Sequence, residues 1–212
     1  MSIRFPRGLY GITPDWADTD RLLAAIEAAY EGGMVALQWR RKHGERADQL
    51  AQLERVHTLS QRLGLLLIIN DDWRLAADIN ADGVHMGRTD GSIVQARLAL
   101  GSEKIIGCSC YNDLELAAEM LRQDVDYIAF GALYPSQVKP DASRVTLDQI
   151  RQGHALTLTH HPRAAVVAIG GLTPDNAAAA IDAGADSIAV ISALFEAADI
   201  RHAARRCAVL FT

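Results

Sequence analysis

Short apolar segments alternate with longer segments of helical spacing from one end of the chain to the other. The short segments are rich in Val, Ile and Leu and mostly lack apolar–polar alternation, which is typical of parallel strands covered on both faces. Eight of them predict strands at Leu9–Ile12, Val35–Gln38, Leu65–Ile69, Gly83–His85, Ile105–Cys108, Tyr127–Phe130, Val166–Ile169 and Ile188–Ile191.

The segments between the predicted strands carry the apolar stripes expected of helices that cover a sheet. Two stripes are formed by Leu22, Leu23, Ile26 and Tyr30 and by Leu50, Leu53, Val56 and Leu63. Thr173-Pro174 predicts a capped helix start. Eight strand–helix units of this size favour a (β/α)8 TIM barrel, formed by one domain over residues 1–212. A doubly wound open sheet is the alternative, but it usually needs fewer strands.

An aspartate lies one or two residues before three of the predicted strands. Asp82 precedes the fourth strand, Asp126 the sixth and Asp186 the eighth. These positions fall at the amino-terminal face of a barrel, where side chains contribute to stability, so we expect structural roles for all three.

Composition and charge exclude several classes of protein. Half of the 212 residues are hydrophobic and the net charge is −5, which argues for a globular fold and gives no support to nucleic-acid binding. The longest apolar run is too short to span a membrane, and the first residues lack the apolar core of a signal peptide. Three cysteines without disulfide-like spacing indicate a reducing compartment. We therefore expect a cytoplasmic protein, in which Cys108 and Cys110 are small buried hydrophobes rather than metal ligands.

Polar residues follow the second, third and fourth predicted strands, where a barrel builds its chemistry. Alternation along the chain aims Gln38, Arg40 and Lys42 the same way, which suits an anion with several oxygens. Asn70, Asp71 and Asp72 follow the third strand, where they either cap a helix or supply a ligand.

The fourth predicted strand is followed by a further carboxylate, that of Asp90. Carboxylates from adjacent strand ends, such as Asp71 and Asp90, could share Mg²⁺ with diphosphate oxygens. His85 is either an acid–base group or a buried, hydrogen-bonded histidine.

Later strands add a second set of candidates. Ser109 has no His and Asp in evident triad order, so we expect it to donate a hydrogen bond to phosphate rather than to act as a nucleophile. Lys139, close to Ser136, is the only cation of the Pro135–Asp141 stretch, which lies within a long loop of binding-loop type from Gly131 to Arg144. The turn at Gly170-Gly171 and the helix start at Ile191-Ser192 follow strands seven and eight, the recurrent phosphate site of such barrels.

Four motifs, in this order, resemble the thiamine phosphate synthase family. They are Gln-x-Arg-x-Lys from Gln38, Asn70-Asp71, Gly-Val-His-x-Gly-x-x-Asp ending at Asp90, and Val-Ala-Ile-Gly-Gly ending at Gly171. Each is modest, but the ordered set is specific and extends from Gly8 to about Phe195. The family joins hydroxymethylpyrimidine diphosphate to a thiazole phosphate and releases pyrophosphate.

The resemblance implies a role for each candidate. It places Gln38, Arg40, Lys42 and Asn70 on the pyrimidine diphosphate, Asp71 and Asp90 on Mg²⁺, Ser109 and Lys139 on the pyrophosphate, and Ser136, Gly171 and the backbone around Ile191 and Ser192 on the thiazole phosphate. Arg40, Lys42, Ser109 and Lys139 would act in catalysis by neutralising the charge of the leaving diphosphate.

The chain departs from the family pattern at three positions. Val138 stands where the loop after strand six often has Thr, which removes a hydroxyl worth about 1.5–3 kcal/mol if it bonds a charged group. Arg41 replaces a usual Glu, and Arg88 replaces a usual Gln. Such changes would alter affinity or mark a paralogue that has lost the synthase activity.

Three other functions compete with the synthase. A thiazole tautomerase shares the barrel, but that branch tends to carry a His where this chain has Tyr111. A non-catalytic barrel that binds a thiamine precursor is supported by Val138. An isomerase of tryptophan biosynthesis would explain the strand seven and eight loops but not the aspartate pair. The sequence carries no signal for the oligomeric state.

Overall fold

The computed structural model describes residues 3–135 and 143–212, and within these ranges eight parallel strands close into a barrel in chain order. The strands are β1 Gly8–Ile12, β2 Met34–Trp39, β3 Leu66–Asn70, β4 Gly83–Met86, β5 Ile105–Tyr111, β6 Tyr127–Phe130, β7 Ala165–Ile169 and β8 Ser187–Val190. β8 pairs in parallel with β1, with Leu9 opposite Ile188. This pairing closes the sheet, so the predicted (β/α)8 barrel is confirmed and the open sheet is excluded.

Helices follow the strands and cover the outside of the barrel. They are α1 Thr19–Glu31, α2 Arg46–Leu63, α3 Trp73–Asp78, α4 Ile93–Leu100, α5 Leu114–Arg122, α6 Leu147–His160, α7 Ala178–Asp182, α8 Ser192–Phe195 and α9 Ile200–Ala208, with a 3-10 turn at Val209–Phe211. No helix among the described residues is long and apolar enough to cross a membrane.

The core has two layers, one inside the barrel and one between strands and helices. Tyr10, Tyr127 and Val167 belong to the inner layer, whereas Leu9 and Val166 pack outward against the helices. Because both faces of each strand are covered by apolar groups, the strand sequences do not alternate between apolar and polar residues.

Two members of the predicted helical stripes are exposed. Leu22 and Ile26 of α1 are buried, but Tyr30 is 36% exposed and the buried stripe continues through Ala29 instead. On α2, Leu50 is likewise exposed. Helix α7 also begins at Ala178, later than Thr173-Pro174 predicted, because the intervening residues form turns in which Thr173 Oγ1 accepts from Asp175 N.

Each of the three aspartates before a strand forms the same pair of hydrogen bonds, which we call an aspartate clasp. The carboxylates of Asp82, Asp126 and Asp186 accept from the backbone N–H of Leu67, Ile106 and Val166 at 2.8–2.9 Å. The backbone N–H of each aspartate donates to the carbonyl of that same partner. The clasps fasten β3 to β4, β5 to β6 and β7 to β8, which confirms the structural roles predicted for the three residues.

The cysteines are free and buried, as predicted for Cys108 and Cys110. Both side chains belong to the outer layer of the core. Burial raises the pKa of the Cys108 thiol to about 12, so this thiol stays protonated and apolar at neutral pH.

Candidate active site at the carboxyl ends of the strands

A cavity of about 810 Å³ opens at the carboxyl ends of the strands. It is lined by eleven of the predicted site residues: Gln38, Arg40, Lys42, Asn70, Asp71, Asp90, Ser109, Gly170, Gly171, Ile191 and Ser192. Ser136, Val138 and Lys139 lie outside the described residues. One cavity therefore receives residues from both predicted anion sites.

Alternation beyond β2 delivers one amide and two cations to the cavity. Gln38, Arg40 and Lys42 line it, whereas Arg41 lies on the other side, in a small neighbouring pocket. Thr13 fixes the backbone between them, because its hydroxyl accepts from Arg40 N at 2.8 Å and donates to Arg40 O at 3.1 Å. The predicted common direction of the three side chains is thus found in the structure.

The segment after β3 divides its polar residues between two tasks. Asp72 caps α3, with its carboxylate accepting from Leu75 N at 2.9 Å. Asn70 and Asp71 instead face the cavity. Asp71 Oδ2 lies 2.7 Å from Lys42 Nζ. The helix-cap interpretation therefore applies to Asp72, while Asn70 and Asp71 are placed where a ligand role is possible.

Asp71 and Asp90 form an interacting carboxylate pair beside Lys42. Burial works to raise the pKa of Asp71, but the hydrogen bond and charge of Lys42 outweigh it and lower that pKa. Burial raises the pKa of Asp90, against the hydrogen bond from Gly87 N, and the negative charge of Asp71 raises it further. Because the charge of Asp71 disfavours the ionised form of Asp90, a cation shared by the two carboxylates would relieve that repulsion.

The donor set at this pair fits Mg²⁺ held jointly by protein and substrate. Among the residues that the structure describes, no three His, Cys, Asp or Glu side chains gather at one point. Two carboxylates are nevertheless what such a site requires, because protein-bound Mg²⁺ commonly takes one or two carboxylates and completes its shell with phosphate oxygens and water.

Ser109 is hydrogen-bonded to His85, a pairing that the sequence did not predict. Ser109 Oγ lies 2.8 Å from His85 Nε2, and His85 Nδ1 lies 2.9 Å from the Tyr127 hydroxyl. The group behind the imidazole is thus a phenol, whereas a hydrolytic triad has a carboxylate there. The hydrogen bonds predicted for His85 by one of the two alternatives are therefore present, and nucleophilic use of Ser109 gains no support.

The turn after β7 contributes backbone to the opposite end of the cavity. Gly170 and Gly171 have φ values of +100° and +60°, which favour glycine. A Cβ on Gly171 would collide with the carbonyl oxygen of Pro135, so the backbone approaches too closely for any side chain. Ile191 and Ser192 line the same end, where α8 begins.

Neither arginine that departs from the family pattern lines the large cavity among the described residues. Arg41 donates to the carbonyl of Asp48 at 3.1 Å. Arg88 pairs with Asp113 at 3.3 Å and lies over the ring of Tyr111. Arg41 therefore donates its hydrogen bond to a residue outside the large cavity, whereas Arg88 reaches it indirectly, through the ring of Tyr111 that lines it.

Several cavity residues were missed by sequence reasoning. Tyr10 lies within an apolar strand, and Thr173 and Glu196 belong to segments interpreted as helix start and helix. For Tyr10 a signal did exist, because it shares the inward phase of β1 with Ile12. Glu196 carried none, since its position depends on where the short helix α8 ends.

A closed (β/α)8 barrel with cations, paired carboxylates and a Gly-Gly turn around one cavity defines a class of enzymes that act on phosphorylated small molecules. The comparisons specify the family. The family model for thiamine monophosphate synthase matches residues 9–194. The chain belongs to the thiamine monophosphate synthase family.

Similar proteins carry the same description. The chain is 51% identical to thiamine-phosphate synthase of Bordetella avium, over 99% of this chain and 97% of the relative, and 48% identical to that of Thiobacillus denitrificans, over 98% and 96%. It superimposes on the solved thiamine phosphate pyrophosphorylase of Pyrococcus furiosus with a TM-score of 0.84, at 30% identity, covering 98% and 96% of the two chains. The chain is accordingly a transferase with small-molecule substrates.

Proposed function

We propose that the chain joins 4-amino-5-hydroxymethyl-2-methylpyrimidine diphosphate to 4-methyl-5-(2-phosphooxyethyl)thiazole and releases pyrophosphate, which makes it a thiamine phosphate synthase. The continuous cavity carries this proposal. At one end lie Arg40, Lys42 and the aspartate pair, and at the other lies the Gly170-Gly171 turn. One end would bind the diphosphate and the other the monophosphate, with the reacting carbon between them.

The protein's task in this reaction is to stabilise negative charge. The bond between the pyrimidine methylene carbon and the diphosphate oxygen breaks, and its electron pair leaves with the diphosphate. Arg40, Lys42, Ser109 and, from the loop outside the described residues, Lys139 would neutralise that charge. Asp71 and Asp90 would hold Mg²⁺, whose chemistry there is to neutralise the diphosphate oxygens further.

The second half of the reaction requires no general base. The lone pair of the thiazole nitrogen forms the new bond to the methylene carbon, and no proton has to be removed from that nitrogen. This agrees with a site whose histidine is already engaged with Tyr127 and Ser109. Gly170, Gly171, Ile191 and Ser192 would orient the thiazole through its phosphate.

The function is tested by incubating the purified protein with both substrates and Mg²⁺ and following thiamine phosphate with and without EDTA. We expect product only when the metal is available. Binding of both substrates without any product would support a non-catalytic precursor-binding barrel. Interconversion of thiazole tautomers without condensation would support the tautomerase.

Restoring the family threonine by Val138→Thr is expected to leave turnover intact or raise it by up to about tenfold, because a hydroxyl could bond a charged oxygen there. The measurement is kcat/KM for the diphosphate substrate, with Val94→Thr on exposed α4 as a matched control. A large loss of activity would contradict the proposed place of this loop at the diphosphate.

Adding one methyl group by Gly171→Ala is expected to weaken thiazole phosphate binding by about tenfold or more, because the methyl displaces the turn from Pro135 and strains a left-handed backbone. Calorimetric titration with the thiazole phosphate measures the effect. Gly64→Ala is the control, since Gly64 has a φ of +65° but no atom lies within 4 Å of the place its Cβ would take. Equal affinity in both variants would remove the Gly-Gly turn from the phosphate site.

We also propose a cytoplasmic location and a single domain over residues 1–212. The three free, buried cysteines support a reducing compartment. The barrel elements support one domain, since they run from Gly8 to Phe211.

A further inference from the structure

A series of hydrogen-bonded side chains runs along the floor of the cavity and joins Gln38 to Ser109, two residues predicted to bind substrate. Gln38 Nε2 lies 2.8 Å from the Tyr10 hydroxyl, which lies 3.0 Å from the Tyr127 hydroxyl. Tyr127 is 2.9 Å from His85 Nδ1, and His85 Nε2 is 2.8 Å from Ser109 Oγ. Gln38 and Ser109 are therefore connected through three intervening side chains.

The two phenols in this chain are held rigidly. Tyr10 and Tyr127 are fully buried, and the ring of Phe5 packs against both. The Tyr127 ring occupies the space where any side chain at position 107 would lie, so Gly107 is required for its position. Burial raises the pKa of each phenol, so each keeps one proton to donate.

The amide at one end sets the direction of every bond. An amide nitrogen only donates, so the Tyr10 oxygen accepts from Gln38 and its own proton goes to Tyr127. Tyr127 then donates to His85 Nδ1. With Nδ1 accepting, the neutral imidazole carries its proton on Nε2 and donates it to Ser109.

If every hydrogen bond pointed the opposite way, Ser109 would have no proton to donate into the cavity. It would require the Gln38 amide to accept, His85 to carry its proton on Nδ1, and Ser109 to spend its own proton on His85. Ser109 would then present only lone pairs to the cavity, where an anion is proposed to bind. The direction set by Gln38 leaves the Ser109 proton available for that anion.

We propose that this series of hydrogen bonds fixes His85 as the Nε2–H tautomer and directs the Ser109 hydroxyl proton toward the diphosphate. Tyr10, Tyr127 and His85 are thus positioning residues. The hydrogen bond from Ser109 to the diphosphate rests on the proposed function, whereas the His85 tautomer is a property of the protein without substrate. Because every hydrogen bond in the series points the same way, replacing the donor at position 38 by an acceptor should reverse the hydrogen bond between His85 and Ser109.

The tautomer of His85 is measured by ¹⁵N NMR of histidine-labelled protein, with the signals assigned from their loss in His85→Gln. In the unmodified protein we expect protonated Nε2 and unprotonated Nδ1. A proton on Nδ1 would overturn the proposal. No substrate enters this experiment, so its result is independent of whether the chain makes thiamine phosphate.

Reversing the end group tests the coupling. In Gln38→Glu the ionised carboxylate only accepts, so every bond should turn round and the proton of His85 should move to Nδ1. The ¹³C signal of the new carboxylate identifies the pH at which it is ionised. Adding Tyr10→Phe should abolish the switch. If His85 keeps its proton on Nε2 in Gln38→Glu, residue 38 does not set the direction of the hydrogen bonds, and the proposal is wrong.

Binding of inorganic pyrophosphate with Mg²⁺ provides the functional readout. We expect Tyr127→Phe to weaken it about tenfold, the order expected for one hydrogen bond to a charged group, and to leave thiazole phosphate binding within about twofold. Tyr30→Phe removes an exposed hydroxyl on α1 and should change neither. Unchanged pyrophosphate affinity in Tyr127→Phe would remove Ser109 from the diphosphate site, even if the tautomer is as expected.

Discussion

Turnover by the Asp90→Asn variant is expected to fall by a factor of about a thousand, while the barrel stays folded. The amide lacks the negative charge that a shared Mg²⁺ requires, but its oxygen can still accept from Gly87 N, which Asp90 contacts at 2.7 Å. The thiazole phosphate end of the cavity is untouched, so its affinity should change by less than about twofold. Asp90→Ala should lose both the charge and the turn.

The measurement is kcat against Mg²⁺ concentration, beside calorimetric binding of thiazole phosphate. Asp72→Asn is a suitable control, because Asp72 caps α3 and asparagine caps a helix equally well. It should keep nearly full activity. Full activity in Asp90→Asn would remove this residue from the metal site, whereas loss of thiazole phosphate binding would indicate damage to the fold.

Unfolding of the Asp126→Ala variant is expected to require about 3–5 kcal/mol less free energy than that of the unmodified protein. Asp126 is fully buried at the amino-terminal face, 2.7 Å from Arg4 and 2.8 Å from Arg97. Its removal leaves two guanidinium groups without their anion and also opens the clasp to Ile106 N.

Urea unfolding followed by circular dichroism measures this effect. The clasp at Asp82 makes the same bonds at an exposed position, so Asp82→Ala should lower the free energy of unfolding by only about 1 kcal/mol. Equal losses in the two variants would show that the arginines contribute little at Asp126.

The fold could be predicted because its strands carry a local signal. All eight predicted strands exist, with ends displaced by a few residues at most, since buried parallel strands need continuous Val, Ile and Leu. The start of α7 was placed too early at Thr173-Pro174, because a threonine with this hydrogen bonding serves a turn as well as a helix.

The candidate site was predictable where it depends on single strand ends. Alternation predicted a common direction for Gln38, Arg40 and Lys42, and all three line the cavity, where Asp71 and Asp90 from adjacent strand ends also meet. The hydrogen bonds along the floor of the cavity depend instead on side chains far apart in sequence, such as Tyr10 and Tyr127, which meet only when the barrel closes. No local pattern predicts a contact of that kind.

The aspartate clasps have a consequence for the modular organisation of the barrel. Each joins two strands that are separated by a single helix, so it lies entirely within one strand–helix–strand segment. β2 is preceded by Gly32-Gly33, which has no carboxylate to form such a clasp with β1. β1 and β8 are joined by the backbone hydrogen bonds of their parallel pairing. A circularly permuted gene that begins at β3 would therefore keep every clasp inside an uninterrupted module, whereas one that begins at β4 would divide a module between the two new termini.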